Sequence, residues 1–526
     1  MVYNPLDVII NSDDDIPQDE ISSAERKAIQ QEALGISDEG IRQRYVITTD
    51  DILNEDMFEF WADPNTVRAI DRTERALRDV LSEEDETRRL RETKEGREIP
   101  SDFDLDKAIE LGDKSNYYHK VAQGLFQKAL KVASSAGGMT GDTRDLIAAR
   151  VVDEFLGLGP IEPLTRDPLI TEVMVNGYNK VFFEKGGKVF QARAANFRDK
   201  EHTQTVATRF LRAINKSVSS TTPLVDGQLA DGSRVNVIHT SLAEGETVIT
   251  IRRFPNKTWT LIDLINFNAM PEEMALDLAR AVEGRSSILV VGGTGSGKTT
   301  LLNAASGCIP TDERLVTVED SRELRLHPDA DNVIHLQARR GTEKVEEITM
   351  QRLVKNALRM RPDRIIVGET RSAEVIDYLQ ACSTGHEGSM STIHANSPQE
   401  VTTRINLLVA QSGVSLRQEE VMDAIGLAID MVVFAKRFPD GARRITDLSE
   451  LVYDEPTHTI KAKPIWQWDD DLKKHVKLNE FSDKLKTRFY QYAPVPINKK
   501  DLDRIADAAQ RADAARLKAL MEGKKD

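Results

Sequence analysis

The strongest structural signal in the chain is the segment Ser286-Ser287-Ile288-Leu289-Val290-Val291-Gly292-Gly293-Thr294-Gly295-Ser296-Gly297-Lys298-Thr299-Thr300. It matches the pattern G-x-x-x-x-G-K-[ST] from Gly292 to Thr299. The apolar run before it is typical of a buried strand, and residues 299–306 after it are typical of a helix. Glycines between the two let several backbone N–H groups point at one phosphate chain, next to the positive end of the helix dipole. The segment therefore predicts a site for a nucleoside triphosphate.

The residues expected to contact the nucleotide belong to this phosphate loop. They are Gly292, Gly293, Thr294, Gly295, Ser296, Gly297, Lys298, Thr299 and Thr300. Lys298 is expected to reach the β- and γ-phosphates of ATP, and the Thr299 hydroxyl is expected to be a ligand of Mg²⁺. A glycine-rich turn that matches the pattern by chance is the alternative. The flanking strand and helix argue against that alternative.

Length and charge limit the class of protein. A chain of 526 residues is expected to form two to four domains. We find no apolar run of the ~18–20 residues that cross a bilayer and no signal peptide. The two cysteines, Cys308 and Cys382, favour a reducing compartment. The net charge of −15 is concentrated in residues 1–63, which carry 16 acidic and 4 basic side chains. Because no basic face is evident, we expect no direct contact with nucleic acid.

Changes in charge and in residue pattern along the sequence predict five segments. These are an acidic, largely disordered arm over residues 1–63, a helical region over 64–145, a smaller α+β domain over 146–256, a nucleotide domain over 257–452, and a tail over 453–526 that ends in a helix. The arm contains one expected helix near residues 24–34. A solvated tail and a docking arm for a basic partner both remain open for it. The tail holds Trp466 and Trp468, which we expect to be exposed.

Strands alternate with helices in the nucleotide domain. The expected strands cover residues 288–291, 315–318, 333–336, 364–367 and 389–393, and a final hairpin turns at Asp440-Gly441. Such alternation indicates an α/β fold, with a mostly parallel sheet covered by helices on both faces.

Acidic residues follow two of these strands. Glu369 ends the strand at 364–367, where its carboxylate could face a metal ion or its waters, although a salt bridge with Arg371 is an alternative. Glu319, Asp320 and Glu323 lie at the tip of the strand at 315–318. Clustered carboxylates repel unless a cation or proton relieves them, so these are candidates for a metal site or for water activation. Capping of a helix by Asp320 or Ser321 is the alternative.

His394 follows the strand at 389–393. A single histidine is most often structural, and the two cysteines are not spaced with the histidines for zinc. At a strand end beside bound phosphate, however, His394 could sense or polarise the γ-phosphate.

Four motifs together resemble one family. The runs Gly-Gly-Thr-Gly-Ser-Gly-Lys-Thr-Thr (292–300), Val-Glu-Asp-Ser-Arg-Glu-Leu (318–324), Arg-Met-Arg-Pro-Asp-Arg-Ile-Ile-Val-Gly-Glu-Thr-Arg (359–371) and Thr-Gly-His-Glu-Gly-Ser-Met-Ser-Thr-Ile-His-Ala-Asn (384–396) are similar to the Walker A, Asp, Walker B and His boxes of the type II/type IV secretion ATPase superfamily. Residues 155–164 and Asp231-Gly232-Ser233-Arg234 resemble its CpaF-type branch, the motor ATPases of Tad (tight adherence) pili. The resemblance covers about residues 140–452.

The resemblance implies a RecA-like nucleotide domain and a motor that uses ATP and Mg²⁺ to assemble or retract a pilus. It implies a cytoplasmic homohexamer at the inner face of the cytoplasmic membrane, associated with the membrane through an inner-membrane platform protein. The roles it implies are Glu323 as general base with Glu319 in support, Glu369 as organiser of Mg²⁺ and water, His394 coupled to the γ-phosphate, and Arg234, Arg252 and Arg253 reaching the nucleotide.

The best candidates for an arginine that one subunit supplies to its neighbour are Arg234, after an Asp-Gly turn, and Arg252-Arg253, at the end of a strand. The chain around the phosphate loop shows few cations besides Lys298, whereas phosphoryl transfer usually needs an arginine that stabilises the γ-phosphate charge. Ordinary surface ion pairs are the alternative for these arginines.

Two other functions remain open. One is a conjugation or effector type IV secretion motor of the same superfamily. The other is a scaffold that binds ATP with little turnover, which the full set of acidic boxes opposes. The tetracysteine zinc motif of some general-secretion relatives is absent from the sequence, which argues against that branch.

Overall fold

The protein is described from a computed structural model. The described residues are 47, 49–53, 55–95, 104–111, 116–135, 141–253, 257–327, 329–339, 341 and 346–521. The helix expected near residues 24–34 lies outside them. The chain divides into a first unit of residues 1–256 with 515–526 and a second unit of residues 257–514.

The first unit combines helices with an antiparallel sheet. Its helices are α1 (Asp50–Leu53), α2 (Glu55–Ala62), α3 (Pro64–Glu95), α4 (Leu105–Leu111), α5 (Asn116–Ser135), α6 (Gly141–Leu156), α7 (Glu162–Arg166) and α8 (Lys200–Ala213). Its strands are β1 (Ile170–Val175), β2 (Val181–Lys185), β3 (Lys188–Gln191), β4 (Leu224–Gln228), β5 (Arg234–Ile238) and β6 (Val248–Arg252), in the order β3-β2-β1-β6-β5-β4. Alternate residues of β5 and β6 are buried, so one face of the sheet packs against the hydrophobic core.

The core of the first unit reaches into the predicted arm. Ile47 is fully buried and Trp61 is 8% exposed, and both belong to the same hydrophobic core as the sheet. The prediction of a disordered arm is therefore wrong for its end, where α1 and α2 form, while residues 1–46 lie outside the described part. The strongly acidic composition of residues 1–63 obscures these few apolar side chains in the sequence. Burial of a few apolar side chains is nevertheless enough to hold two short helices against the core.

Buried charges hold the corner between α6 and α7. The carboxylate of Glu154 lies 2.8 Å from Nε2 of His202 and 3.6 Å from Nε of Arg150. Asp153, fully buried, pairs with Arg166 at 2.6 Å. Burial acts to raise the pKa of Glu154, but His202 and Arg150 outweigh it and lower that pKa to about 2. The corner therefore combines a buried ion network with apolar core residues such as Phe155 and Ile161.

The same corner requires glycine at two positions. A Cβ atom on Gly157 would lie 2.5 Å from a carboxylate oxygen of Glu162, which accepts the N–H of Leu158 at 2.6 Å. Gly159 has a φ of 61°, in the left-handed region that favours glycine. The Gly-Leu-Gly-Pro run thus turns the chain tightly against the buried carboxylates.

The second unit is built on one nine-stranded sheet. Its helices are α9 (Leu261–Asn266), α10 (Glu272–Glu283), α11 (Lys298–Ser306), α12 (Met350–Ala357), α13 (Glu374–Ser383), α14 (Val401–Gln411), α15 (Gln418–Ala428) and α16 (Asp483–Tyr492), and the last helix of the chain is α17 (Lys499–Met521). Its strands are β7 (Ile288–Gly292), β8 (Leu315–Glu319), β9 (Val333–Gln337), β10 (Arg364–Val367), β11 (Met390–Ile393), β12 (Met431–Arg437), β13 (Arg443–Asp454), β14 (Thr459–Asp469) and β15 (Lys474–Lys477), in the order β15-β14-β13-β12-β7-β11-β10-β8-β9.

The predicted α/β architecture is confirmed. The six strands from β12 to β9 in this order are parallel, and β13 to β15 add to one edge as antiparallel strands. Ile288 and Val290 of β7 belong to one hydrophobic core, and Leu289 and Val291 belong to another. Because successive side chains of a strand point to opposite faces, helices cover the sheet on both sides.

The sheet does not end at the predicted boundary of residue 452. β13 continues to Asp454, and β14 and β15 extend the sheet to Lys477. Trp466 is 4% exposed and its indole N–H donates to Asp277 of α10 at 2.8 Å, so its predicted exposure is wrong. The pattern of residues indicates the strands of a hairpin, but it does not show which edge of the sheet they join.

None of the helices in the described part of the chain has both the length and the apolar character to span a bilayer.

Candidate functional site

Neighbouring parallel strands bring the predicted site residues together. β7 pairs with β11, β11 pairs with β10, and β10 pairs with β8, all in parallel. The carboxyl ends of parallel strands meet at one edge of the sheet, where open α/β folds bind their ligands. The phosphate loop, His394, Glu369 and Glu319 therefore lie at the same edge.

Three glycines of the phosphate loop occupy positions where a side chain would clash or the backbone conformation would be strained. A Cβ atom on Gly292 would lie 2.2 Å from the carbonyl oxygen of Ala435, closer than any side chain allows. Gly295 and Gly297 have φ values of 68° and 93°, in the left-handed region. Gly297 is also the N-cap of α11 and has no side chain with which to cap it. The first N–H groups of α11 are thus oriented for an anion, which fits the phosphates of a nucleotide.

Lys298 is buried beside the phosphate loop. Its side chain is 8% exposed, and its ammonium donates to the carbonyl oxygen of Gly293 at 2.9 Å. The Ser296 hydroxyl donates to the same oxygen at 2.9 Å. Thr299 and Thr300, both partly exposed, follow in the first turn of α11. The loop backbone, Lys298 and the Thr299 hydroxyl together could hold a Mg²⁺–ATP complex.

His394 lies between Lys298 and Glu369. Its Nε2 is 3.0 Å from a carboxylate oxygen of Glu369, and its Nδ1 is 3.4 Å from the Lys298 ammonium. Burial and then Lys298 lower the pKa of His394, while Glu369 acts to raise it. A neutral ring with its proton on Nε2 donates to Glu369, and the Lys298 ammonium lies almost equally close to both ring nitrogens, 3.4 Å from Nδ1 and 3.5 Å from Nε2. The structure thus joins three of the predicted residues.

Arg371 connects two acidic residues. It pairs with Asp320 and lies 3.9 Å from Glu369. The salt bridge suggested as an alternative for Glu369 is therefore peripheral, because Glu369 is closer to His394. Residues 320–327, all described, contain no helix for Asp320 to cap. Asp320 fixes the arginine instead.

Glu319 and Glu323 have different surroundings. Glu319 is 3% exposed, and one of its oxygens accepts the N–H groups of Glu323 and Leu324, each at 2.8 Å. Burial raises the pKa of Glu319 to about 7, although these hydrogen bonds oppose the shift. Glu323 is only partly buried. Glu319 is therefore placed to shape the segment that carries Glu323.

Asn303 is a site residue that the sequence interpretation missed. From α11, its amide donates to the carbonyl oxygen of Glu323 at 3.2 Å, and its oxygen accepts the N–H of Arg325 at 2.8 Å. It ties the acidic segment to the helix that follows the phosphate loop. An asparagine inside a predicted helix, where it is disfavoured, is the signal that could have pointed to it.

The hairpin of β12 and β13 also reaches the loop, which the sequence interpretation did not predict. Nε of Arg443 donates to the carbonyl oxygen of Gly295 at 2.9 Å. The basic residues on both sides of Asp440-Gly441 are a visible signal. Their position beside the loop depends on strand order, which the sequence does not show.

The three predicted arginines of the preceding domain lie in the first unit. Arg234 and Arg252 are directly opposite each other on β5 and β6. Arg253 donates to the carbonyl oxygen of Asp167 at 2.5 Å. Their approach to a nucleotide stays a prediction.

Comparison with known proteins identifies the family. The family described as Type II/IV secretion system protein matches residues 154–440, more than half of the chain. The chain belongs to this family. The match begins at Glu154 of the buried ion network and ends in the hairpin beside the phosphate loop. The four boxes of this secretion-system protein thus fall within the matched residues.

Relatives of this family member include proteins named for transfer and secretion. A putative conjugal transfer protein of Mycobacterium tuberculosis is 36% identical over 340 residues, which cover 63% of this chain and 94% of the relative. The type IV secretion system protein PtlH of Bordetella pertussis is 36% identical over 301 residues, covering 52% of this chain and 88% of the relative. Among solved structures, the VirB11 ATPase of the Brucella suis type IV secretion system is 31% identical, with a TM-score of 0.31 and coverage of 57% of this chain and 97% of that one.

Proposed function

We propose that this protein is a motor ATPase, which hydrolyses ATP with Mg²⁺ and converts the reaction into movement. The observation that carries the proposal is the contact chain from Lys298 through His394 to Glu369 at the end of the phosphate loop. A loop that only binds nucleotide needs no such connection, whereas hydrolysis needs positioned charge and a placed water.

Each residue has a proposed role. Lys298 and the N–H groups of α11 bind the phosphates, while Thr299 and Glu369 hold Mg²⁺. When bound, the ion would neutralise phosphate charge and polarise the γ-phosphate. Glu323 is the general base, and Glu319 positions it through its backbone. His394, neutral and in contact with Lys298, couples the γ-phosphate to Glu369.

We propose a homohexameric ring at the cytoplasmic, inner face of the cytoplasmic membrane, attached through an inner-membrane platform protein of a Tad-type pilus. The sequence of residues 155–164 and 231–234 supports this CpaF-type assignment. A conjugation or effector secretion motor is the second candidate, which the names of the two curated relatives favour. The convergence of acidic residues on the loop speaks against a scaffold with little turnover.

A cellular experiment separates the first two candidates. Replacing the chromosomal gene with one that encodes Glu323→Gln should abolish surface pili, counted by electron microscopy, because assembly depends on hydrolysis. Wild-type complementation should restore the pili, and transfer of a marked plasmid to recipient cells should be unchanged. Normal piliation together with lost plasmid transfer would instead establish the conjugation motor.

The active site is proposed to be shared between subunits, with Arg234 supplied by the neighbour. Arg234→Ala and Lys298→Ala subunits should each be inactive alone. Mixing them should restore part of the ATPase activity, since some interfaces then combine an intact loop with an intact arginine. Subunits carrying both substitutions serve as the control. Co-assembled mixtures that never exceed the single variants would rule out sharing through Arg234.

A further inference from the structure

The hairpin of β12 and β13 is fixed beside the phosphate loop by strand pairing. β12 runs parallel to β7, and Ala435 is the partner of Gly292, the first residue of the loop. Arg437 lies two residues further along β12. The carboxyl end of β12 therefore delivers Arg437 to the same edge of the sheet as the loop.

The two faces of this hairpin carry different basic residues. Arg437 is directly opposite Arg443, and Lys436 is directly opposite Arg444. Because successive side chains alternate between faces, the first pair shares one face and the second pair shares the other. The Arg444 guanidinium lies over the rings of Phe438 and Trp468, 4.8 and 5.0 Å from their centroids.

Arg437 and Arg443 are on the face that meets the phosphate loop. Nε of Arg443 donates to the Gly295 carbonyl oxygen at 2.9 Å, and its Cδ lies 3.6 Å from the place of a Cβ atom on Gly297. One terminal nitrogen of Arg437 lies 3.5 Å from the place of a Cβ atom on Gly295. Both guanidinium groups thus flank the two glycines with left-handed φ.

An anion held between the hairpin and the loop would lie within reach of both guanidinium groups. A guanidinium also matches phosphate oxygens with two parallel hydrogen bonds. We propose that Arg437 binds the phosphates of the nucleotide in the same chain, and that Arg443 positions the phosphate loop through Gly295. This inference rests on the proposed ATPase function. It corrects the expectation that one chain offers few cations besides Lys298.

Binding of fluorescent ATP and ADP to the full-length protein tests the role of Arg437. Arg437→Ala should weaken ATP binding about tenfold or more, because a hydrogen bond to a charged group is lost. Arg437→Lys should retain more affinity than Arg437→Gln. The salt dependence of the affinity should become shallower in Arg437→Ala, because one charged contact is missing. A purely structural residue would not change that dependence.

Arg443 is tested as a positioning residue. Arg443→Met, which keeps length but removes the donor, should weaken ATP and ADP binding alike. Arg443→Lys, which keeps a donor for the Gly295 carbonyl oxygen, should restore most of the affinity. Equal affinity of Arg443→Met and wild type would overturn this role.

Lys436→Ala and Arg444→Ala are matched controls on the other face of the hairpin, and both should bind ATP within about twofold of wild type. If Arg444→Ala weakens binding as much as Arg437→Ala, the effect belongs to the hairpin as a whole and the proposal fails. If the wild type binds ATP and Arg437→Ala binds it equally well, the proposed role of Arg437 is also overturned, while the ATPase proposal stays intact. No ATP binding by the wild type would instead refute the ATPase proposal itself.

Discussion

Lys298→Ala is expected to reduce ATP hydrolysis by about 10²-fold or more while the protein stays folded, as for other preorganised groups that stabilise transition-state charge. The Lys298 ammonium contacts a loop carbonyl oxygen and His394 rather than filling the apolar core. Its removal therefore takes charge from the site rather than apolar contacts from the core. Phosphate release at saturating ATP measures the loss, and thermal unfolding confirms the fold.

An exposed lysine provides the comparison. Lys484→Ala, on the surface of α16, should leave the hydrolysis rate unchanged. Near-normal turnover by Lys298→Ala would remove the phosphate-loop interpretation. An equal loss in Lys484→Ala would show that the assay reports general damage to the protein.

Glu323→Gln is expected to bind ATP normally and to hydrolyse it about 10²- to 10⁴-fold more slowly, the range that a general base contributes. Glutamine keeps the shape of the side chain but cannot accept the proton of the attacking water. Nucleotide binding and single-turnover hydrolysis, measured on the same sample, separate the two steps.

Glu319→Gln is the matched control at the neighbouring carboxylate. The glutamine oxygen can still accept the N–H groups of Glu323 and Leu324, so hydrolysis should fall much less than in Glu323→Gln. A normal rate in Glu323→Gln with a stalled Glu319→Gln would reverse the two roles.

The raised pKa of Glu319 leads to a separate prediction about how the stability of the protein depends on pH. Because that pKa lies near 7 in the folded protein and near 4.5 when unfolded, the folded state binds more protons between these values. Wild-type stability should therefore fall, relative to Glu319→Gln, as the pH rises from about 4.5 to about 7. Urea unfolding at several pH values measures the difference, and parallel stability curves would contradict the raised pKa.

Much of the site could be predicted because it depends on local order along the chain. An apolar strand followed by a functional residue recurs at Gly292, Glu319, Glu369 and His394, and parallel strands gather their carboxyl ends without further information. The contact of His394 with Glu369 follows from that geometry. The alternative in which Asp320 caps a helix failed because residues 320–327 contain no helix, and Asp320 pairs instead with Arg371, which follows β10.

Features that depend on long-range packing could not be predicted. The place of β12 beside β7 decides that Arg437 and Arg443 reach the loop, and no local pattern encodes it. Trp466 is buried because β14 joins the sheet edge and meets Asp277 of a distant helix. Ile47 and Trp61 belong to a core assembled from elements far along the chain.

The ion network around Glu154 constrains how this part of the sequence can change. Neutralising one member, such as Asp153, would take from the buried Arg166 its partner at 2.6 Å and leave the more distant Glu162, at 3.4 Å, to balance the charge. Breaking a buried ion pair costs about 3–5 kcal/mol. Replacing an acid and its basic partner together by apolar residues of similar volume can be nearly neutral. Substitutions at this corner should therefore be tolerated in complementary pairs, so two variants that each fail alone could be viable when combined.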